Sequence, residues 1–467
     1  MSSPQFPTRL ADLTLNDSTH NPSLYASLRS IRKSALSIPN RLSSILDDTR
    51  FAKEVSRHYG FPLVANERCG SWYIDPADKV GSAYFKSTDG HHGQWAFSSR
   101  RLNLPLLPVL AAHGGAVIVD STRRGKNLPD AFSKTVPIWV TVINRALFPE
   151  ASDMHYLQSP PPPDELGMSE ISQIEARLDE FTEAFRNLGL DLESLRMELG
   201  RPISISWAIN GFFSTGQHYQ DPKAVERHGS LSSSGPTFRH IVLCSASRRV
   251  RGAEISEGGY IQGAGDDSEG WSHGLTAQIF WQYRELLMQC PEEELPALIK
   301  ALVEQDHSLS SITEVTKVIP TSNINIAGGL PETLEEFDLI LSCQGDEKGS
   351  TSRLVSLNCR SGKLGSKDLR DKLPRTVEAA SKQLAKDPKS QILVTCSTGK
   401  DIGIGVALAI LCLFYNDQGQ LREPSSNVVF DKQLVKQRLA WITCSKADAN
   451  PSRATLQAVN SFLMQRP

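Results

Sequence analysis

The stretch LVTCSTGKDIGIG, from Leu393 to Gly405, decides the fold of the C-terminal part of this chain. An apolar segment typical of a buried strand ends at Cys396, and a glycine-rich loop then leads into the apolar helical segment VALAILCLF. The backbone N–H groups of such a loop and of a helix start bind oxyanions. The pattern therefore predicts a phosphate cradle at the carboxyl end of a strand, with Cys396 at its base.

The residue that a phosphatase needs most is missing from this cradle. In cysteine-dependent phosphatases an arginine follows the cysteine after five residues, and Ile402 holds that position here. A guanidinium fork stabilises the transition state of hydrolysis, whereas Lys400 supplies only a point charge. We therefore expect phosphate binding with weak or absent hydrolysis, and the alternative is an ordinary glycine-rich turn around an inert cysteine. The candidate phosphate-binding residues of this loop are Cys396, Ser397, Thr398, Gly399, Lys400, Asp401 and Gly403.

The composition is that of a globular protein long enough for at least two domains. A formal net charge of −2 over 467 residues disfavours bulk binding of nucleic acid, and local basic clusters favour a sculpted anion site. No apolar run reaches the length of a membrane span, and the N-terminal residues lack the apolar region of a secretory signal. The eight cysteines are scattered without a CxxC pair, which is typical of a reducing compartment, and we expect a cytoplasmic protein.

A change of pattern near residue 330 indicates a second domain. From there the apolar segments FDLILSC (337–343), RLVSLNC (353–359) and SQILVTC (390–396) alternate with helical segments. Strands that alternate with helices form parallel sheets, and ligands bind at the carboxyl ends of such strands. The chain is therefore predicted to be α/β with two domains, a mixed α/β domain over 1–330 and a parallel sheet flanked by helices over 331–467.

Three loops in the first domain are rich in hydroxyl and basic side chains. In AVIVDSTRRGK (116–126) and HIVLCSASRRVRG (240–252) such a loop follows an apolar strand, and AYFKSTDGHHGQWAFSSRRL (83–102) is denser still. The first of these is faintly similar to the diphosphate loop of phosphoribosyltransferases. Donor-rich loops with a flanking tryptophan hold ribose phosphate and stack bases. Three of them indicate a polyanionic substrate or two anionic substrates, although His91 and His92 also fit an ordinary surface.

The segment YIQGAGDDSEGW (260–271) places Asp266 and Asp267 after two glycines. Mg²⁺ binds a few carboxylates together with substrate oxygens. The segment therefore predicts a magnesium–diphosphate site, and an exposed acidic turn is an equally good interpretation.

Taken together, four segments resemble the initiator tRNA phosphoribosyl-transferases of fungi and plants. They are KSTDGHHGQWAFSSRRLNL, VIVDSTRRGKNLPDAFSKTVPIW, YIQGAGDDSEGW and CSTGKDIGIGVALAILC. The part from about 335 to 467 resembles a dual-specificity-phosphatase domain, and the missing arginine at Ile402 is a departure from phosphatases but not from the transferase family. The resemblance implies transfer of a 5-phosphoribosyl group from phosphoribosyl diphosphate to the ribose 2′-OH of nucleotide 64, in the T-stem of initiator methionine tRNA. That modification bars the initiator from elongation.

The residues and the resemblance together give candidate roles. Asp89, His91 and Asp120 are candidates for the catalytic base or for orienting the ribose. The candidates for binding phosphate or ribose in the first domain are Lys86, Ser87, Thr88, Ser121, Thr122, Arg123, Arg124, Lys126 and Lys134. The candidates for contact with the tRNA, which is expected to be read by shape, are Arg29, Arg32, Lys33, Arg248, Arg249 and Arg251. No membrane and no stable protein partner is expected.

Two other functions remain open from the sequence. One is a non-catalytic scaffold that binds tRNA or phosphate on a degenerate phosphatase domain. The other is a phosphohydrolase that uses Cys396, which the isoleucine at position 402 argues against. The density of charged loops before residue 330 favours the transferase over the scaffold.

Overall fold

The computed structural model describes residues 36–211, 238–250, 256–309, 314–331, 333–344, 353–360, 362–422, 430–446 and 448–465. Four of the predicted tRNA contacts, Arg29, Arg32, Lys33 and Arg251, lie outside these residues. Within them, every helix is too short or too polar to cross a membrane.

The first domain is built on a five-stranded parallel sheet in the order β2-β1-β3-β5-β4. The strands are β1 (Leu63–Asn66), β2 (Lys79–Ala83), β3 (Gly115–Asp120), β4 (Ile203–Ile209) and β5 (Arg239–Ser245). β3 lies at the centre and all its residues are buried. An unbroken apolar run is what a parallel strand needs when both faces of its sheet are covered.

Helices cover both faces of this sheet. They are α1 (Ile38–Tyr59), α2 (Leu106–His113), α3 (Val136–Leu147), α4 (Met168–Arg186), α5 (Leu192–Leu199), α6 (Ala277–Gln282), α7 (Arg284–Gln289) and α8 (Leu295–Leu309). Ala116 and Ile118 of β3 pack with α2 to α5, whereas Val117 and Val119 pack with α1 and α6 to α8. Successive side chains of a strand point to opposite faces, so one strand supports two separate cores. A short antiparallel pair, β6 (Ser256–Glu257) and β7 (Tyr260–Ile261), lies between the last strand and α6.

The second domain has its own five-stranded sheet in the order β11-β10-β12-β9-β8. The strands are β8 (Val315–Lys317), β9 (Ile324–Gly328), β10 (Leu339–Ser342), β11 (Leu354–Ser356) and β12 (Ile392–Cys396), and only the pairing of β8 with β9 is antiparallel. The helices are α9 (Gly362–Lys386), α10 (Ile402–Phe414), α11 (Lys432–Ser445) and α12 (Arg453–Met464). α10 is buried from Ile402 to Cys412, as expected of a helix that is apolar all round.

The second sheet begins earlier along the chain than the boundary predicted near residue 330. β9 pairs with β12, and Ile324 and Ile326 belong to the core of the second domain. The sequence did not reveal this because β8 and β9 form an antiparallel pair that precedes the alternation of strands and helices. In the structure, the change from one sheet to the other lies between α8 and Val315.

The two domains pack against each other through α11. Ala440 of this helix is fully buried within the core of the first domain. Gln437 donates a hydrogen bond to the Asn187 carbonyl at 3.2 Å, and Arg101 donates to Asn450 Oδ1 at 2.6 Å. The packing leaves a cleft between loops that follow strands of both sheets.

Candidate active site

Asp120, the last residue of the central strand β3, is fully buried beneath the carboxyl edge of the first sheet. Its carboxylate accepts hydrogen bonds from Asn66 Nδ2 at 2.8 Å and from the Ser121 amide at 2.7 Å. Arg68 donates to the same carboxylate through Nε at 3.1 Å and Nη2 at 2.9 Å. With both oxygens occupied and no exposed surface, Asp120 positions Arg68 and has no face open to a substrate.

Arg68 links Asp120 to the segment that follows β7. Its Nη1 pairs with Asp266, and Arg123 Nε lies 3.6 Å from the same carboxylate. Arg123 also pairs with Asp267. Burial raises the pKa of Asp266 to about 6, against the opposing effect of Arg68 and with a further contribution from Asp120. We call these five residues the arginine–aspartate network, and its member Asp266 has a perturbed pKa, as functional carboxylates often do.

The predicted magnesium ligands Asp266 and Asp267 belong to this network. Their carboxylates face the guanidinium groups of Arg68 and Arg123, which occupy the positions that a cation would take. Throughout the described ranges, no group of three or more His, Cys, Asp or Glu side chains is placed to hold a metal ion. The two aspartates as folded do not fit a Mg²⁺ site, and we derive no step through the ion from them.

The predicted diphosphate loop after β3 uses several of its backbone N–H groups inside the protein. The Thr122 amide donates to Ser247 Oγ at 3.2 Å, and the Gly125 amide donates to Gln262 Oε1 at 3.0 Å. Ser121 and Thr122 are buried. Arg124 is exposed and lies in the left-handed region at φ 59°, which costs a non-glycine residue on the order of 1 kcal/mol and is typical of ligand-binding sites. The loop therefore presents basic side chains more than amides.

The Asp130 carboxylate lies close to three of the residues that the sequence analysis predicted to be functional. Lys134 Nζ lies 3.0 Å from its carboxylate, Lys126 Nζ 3.3 Å and His91 Nε2 3.7 Å. Burial opposes ionisation, but Lys134 and Lys126 hold the pKa of Asp130 below its ordinary value. Beside this group, the Asp130 cluster, lies a cavity of about 350 Å³ that Arg249 also lines. Three cationic side chains, Lys126, Lys134 and Arg249, line the cavity against two carboxylates, Asp130 and Asp164, so the cavity suits an anion.

The loop that carries Lys86 and Asp89 packs directly on the Asp130 cluster. Ser87, Thr88 and Asp89 form a tight turn that ends at Gly90. Thr135 Oγ1 donates to the Lys86 carbonyl at 3.1 Å, and a Cβ on Gly90 would lie 2.6 Å from the Asp130 carbonyl. Burial raises the pKa of Asp89, while Arg101 and Lys86 act in the opposite direction. The structure thus brings His91 to the Asp130 cluster, whereas Asp89 lines a small neighbouring cavity with Lys86 and Arg101.

The cradle loop, Cys396 to Gly403, follows β12 as predicted. The structure explains its isoleucine: Ile402 is 9 % exposed, and a Cβ on Gly365 of α9 would lie 2.5 Å from its Cδ1. The position that holds the catalytic arginine in phosphatases is therefore filled by a side chain of the core. Cys396 is buried, and its sulfur lies under Gly403.

The rest of the cradle loop is held by α12 and by its own turn. Asp401 accepts hydrogen bonds from the Ser452 amide at 2.8 Å and from Thr455 Oγ1 at 2.5 Å. Gly399, at φ 66°, donates its amide to the Cys396 carbonyl at 3.2 Å, so that N–H group is not free for an anion. Ser397, Thr398 and Lys400 are exposed. The Lys400 amide likewise donates to Thr398 Oγ1 at 3.2 Å, so two amides of the loop are used within it.

The two described arginines after β5 diverge. Arg249 lines the cavity of the Asp130 cluster. Arg248 instead stacks on Tyr260, 4.6 Å from the ring centroid, and Tyr260 donates to Asp48 Oδ1 at 2.8 Å. Arg248 therefore lies against an acidic part of α1, and only Arg249 faces a cationic cavity.

Sequence reasoning missed several residues of these groups. Asn66 is the last residue of β1, a neighbour of β3, and Arg68 follows two residues later, so the order of parallel strands would have pointed to them. Asp130 stands four residues from both Lys126 and Lys134, a spacing at which helical side chains pair. Gln262, which holds the loop after β3, gave no signal in the sequence.

Comparison with known proteins identifies the family. A model described as the Rit1 N-terminal domain matches residues 31–304, and one described as the Rit1 DUSP-like domain matches residues 353–463. An uncharacterized protein of Schizosaccharomyces pombe is 35% identical over 91% of this chain and 94% of its own length. The tRNA A64-2'-O-ribosylphosphate transferase of Saccharomyces cerevisiae is 33% identical over 96% of this chain and 97% of its own.

Solved structures match about a third of the chain, and only weakly. The Yvh1 phosphatase domain of Chaetomium thermophilum is 17% identical with a TM-score of 0.26, covering 32% of this chain and 95% of that one. A phosphatase domain with leucine-rich repeats from Entamoeba histolytica gives 12% identity and a TM-score of 0.23, covering 32% and 90%. The predicted α/β class with a phosphatase-like second domain is confirmed by the two sheets and by the DUSP-like match. The resemblance read from four segments is also confirmed, because the chain belongs to the Rit1 family.

Proposed function

We propose that this chain transfers a 5-phosphoribosyl group from phosphoribosyl diphosphate to the 2′-oxygen of nucleotide 64 of initiator tRNA, and so bars that tRNA from elongation. The observation that carries the proposal is the similarity, along nearly the whole chain, to a tRNA A64-2'-O-ribosylphosphate transferase. The chain is then a pentosyltransferase that acts in the cytoplasm, and its eight free thiols support a reducing compartment.

The cavity beside the Asp130 cluster is our proposed donor site. Its volume of about 350 Å³ lies in the range of roughly 300–1,000 Å³ that small ligands fill. Lys126, Lys134 and Arg249 supply positive charge for a diphosphate, and Asp130 holds the two ammonium groups in place before the donor arrives. Mg²⁺ that accompanied the diphosphate would be held by groups other than Asp266 and Asp267, whose carboxylates already face guanidinium groups.

The transfer requires one bond to break and one to form. The bond from C1 of the donor ribose to the diphosphate oxygen breaks, diphosphate leaves with that electron pair, and C1 bonds to the 2′-oxygen of the tRNA. The 2′-OH proton goes to a base, for which Asp89 is our first choice and His91 the second. Asp89 is half-buried and its raised pKa favours proton uptake, whereas the oxygens of Asp120 are fully used.

The test is direct. Purified protein is incubated with an initiator tRNA transcript, phosphoribosyl diphosphate and Mg²⁺, and the nucleotide that gains mass is located. We expect one phosphoribosyl group on nucleotide 64, and none on a transcript with a 2′-deoxyribose there. Tight binding of the tRNA with no gain in mass would favour the non-catalytic scaffold instead.

A further inference from the structure

A large polar cleft lies between the two domains. Its volume is about 1030 Å³, beyond what the donor cavity offers and at the upper limit for small-molecule sites. The charged and aromatic side chains that line it from the first domain include Glu67, Lys79, Tyr84, Arg100, Arg101 and Asp306, and those from the second include Lys400 and Asp448. Glu314, which precedes β8, lines it as well. The cleft is therefore open to a segment of a polymer and is reached by loops from both sheets.

Two adjacent arginines of this cleft form no ion pair with a described carboxylate, and Asp89 acts on Arg101 only from beyond ion-pair distance. Among the described residues, neither Arg100 nor Arg101 has a carboxylate within ion-pair distance. Arg101 stacks on Tyr84 at 4.7 Å and donates through Nη2 to Asn450, but its Nε and Nη1 are buried without a partner. Burial and the neighbouring Arg100 lower the pKa of Arg101. Orphaned buried donors and repelling like charges are both unfavourable, and an anion at this place would relieve them.

The carboxylates nearest the basic side chains of the cleft do not supply that anion. Glu67 is engaged by Lys79 at 3.2 Å and by Ser71 at 2.9 Å. Asp448 lies 2.8 Å from Lys446 and 3.5 Å from Lys400, so one carboxylate serves two ammonium groups. Lys400 therefore shares a single carboxylate with Lys446, whereas Arg100 and Arg101 have none at ion-pair distance among the described residues.

The cleft also connects the two regions that the proposed function uses. The Asn450 amide donates to the Lys400 carbonyl at 2.8 Å, so Asn450 joins the cradle loop to Arg101. Arg101 and Tyr84 line both the cleft and a small cavity that contains Lys86 and Asp89. A polymer in the cleft would pass from the cradle loop to the proposed base.

We infer that the interdomain cleft binds backbone phosphates of the acceptor RNA through Arg100, Arg101 and Lys400. The inference rests on the proposed function and assigns the second domain to the acceptor, whereas the donor binds at the Asp130 cluster. Phosphate oxygens would accept hydrogen bonds from Nε and Nη1 of Arg101, and their negative charge would neutralise Arg100. Free phosphate or the donor itself has the same chemistry, so the experiment separates these sources.

The experiment measures binding of initiator tRNA, without donor, as a function of salt concentration. The variant is Arg100→Gln with Lys400→Gln. The control is Arg375→Gln with Lys389→Gln, an equal change of charge at two exposed positions away from the cleft. We expect the cleft variant to bind roughly tenfold more weakly. The steepness of its log–log salt dependence should fall by about 0.7–0.9 for each RNA phosphate that the protein no longer neutralises, and the control should match the wild type.

Three outcomes decide the matter. An unchanged affinity and slope in the cleft variant, with wild-type melting temperature, overturns the inference and leaves the proposed function intact. Weaker binding of phosphoribosyl diphosphate with normal binding of tRNA also overturns it, because the cleft would then hold the donor. A wild-type protein that binds no initiator tRNA contradicts the proposed function itself.

Discussion

The carboxyl edges of the two sheets have the same backbone arrangement but different side-chain chemistry. In each, a buried strand ends in a reactive type of side chain, Asp120 in β3 and Cys396 in β12, and a polar loop follows. Around Asp120 the neighbours are charged, and two guanidinium groups meet three carboxylates. Around Cys396 the position of the missing arginine is closed by Ile402 and α9. The edge of a sheet determines where a site can form, and the side chains delivered there determine what it does.

The largest effect that tests this comparison is expected at Asp120. Asp120→Asn keeps the shape of the side chain but removes the charge that faces Arg68. Breaking a buried ion pair on one side costs about 3–5 kcal/mol, so we expect a fall of that size in the free energy of unfolding, together with loss of transfer. Urea denaturation measures the first. Glu150→Gln, which removes an exposed partner of Arg196, serves as the control and should leave stability nearly unchanged. A stable, active Asp120→Asn protein would show that the network is not required.

The cradle loop can be tested by restoring the phosphatase signature. Ile402→Arg should lower the free energy of unfolding by roughly 3 kcal/mol or more, because it replaces a core side chain by an unpaired charge. We expect no hydrolysis of p-nitrophenyl phosphate by this variant. Ile402→Leu conserves volume and should cost less than about 1.5 kcal/mol. A folded Ile402→Arg protein with phosphatase activity would mean that the arginine is the one residue the cradle loop of the second sheet lacks for hydrolysis.

The next prediction concerns the edge of the first sheet and the pH dependence of the free energy of unfolding. The pKa of Asp266 is raised in the folded state to about 6, from an ordinary value of 3.8. A carboxyl group with a raised pKa stabilises the fold while it is protonated, and this contribution is lost as the pH rises from about 4 to about 6. The loss is on the order of 2–3 kcal/mol. Asp266→Asn should therefore lack this decline when unfolding is measured at several pH values. An unchanged pH profile in that variant would place the carboxyl group in a more solvated setting.

The smallest expected effect concerns the donor site. Lys134→Gln removes one of the two ammonium groups beside Asp130, and we expect the KM for phosphoribosyl diphosphate to rise about tenfold, which corresponds to roughly 1.4 kcal/mol. Binding of tRNA should not change, since the cleft lies elsewhere. Lys436→Gln, an exposed lysine of α11, is the matched control. A normal KM with weakened tRNA binding in Lys134→Gln would mean that the cavity beside the Asp130 cluster binds the tRNA and that the interdomain cleft binds the donor.

The contrast between the edges also explains what the sequence could predict. The cradle loop is continuous in the chain, so its strand, its turn and the effect of Ile402 followed from a local pattern. The arginine–aspartate network joins Arg68 to residues that are far away in sequence, and its pairing depends on the order of the strands. The prediction that Asp266 and Asp267 bind metal has the same origin. The guanidinium groups that face them belong to residues far away in the sequence, so the local pattern shows only the carboxylates. The antiparallel β8–β9 pair was missed since it precedes the regular alternation.

The placement of Ala440 has a consequence for how this protein is made. That residue is counted by sequence in the second domain, yet it fills part of the interior of the first. A chain released without α11 would lack one of the buried side chains of the first core. That core is therefore complete only after synthesis has reached α11, in the last tenth of the polypeptide, and the first domain depends on a helix of the second.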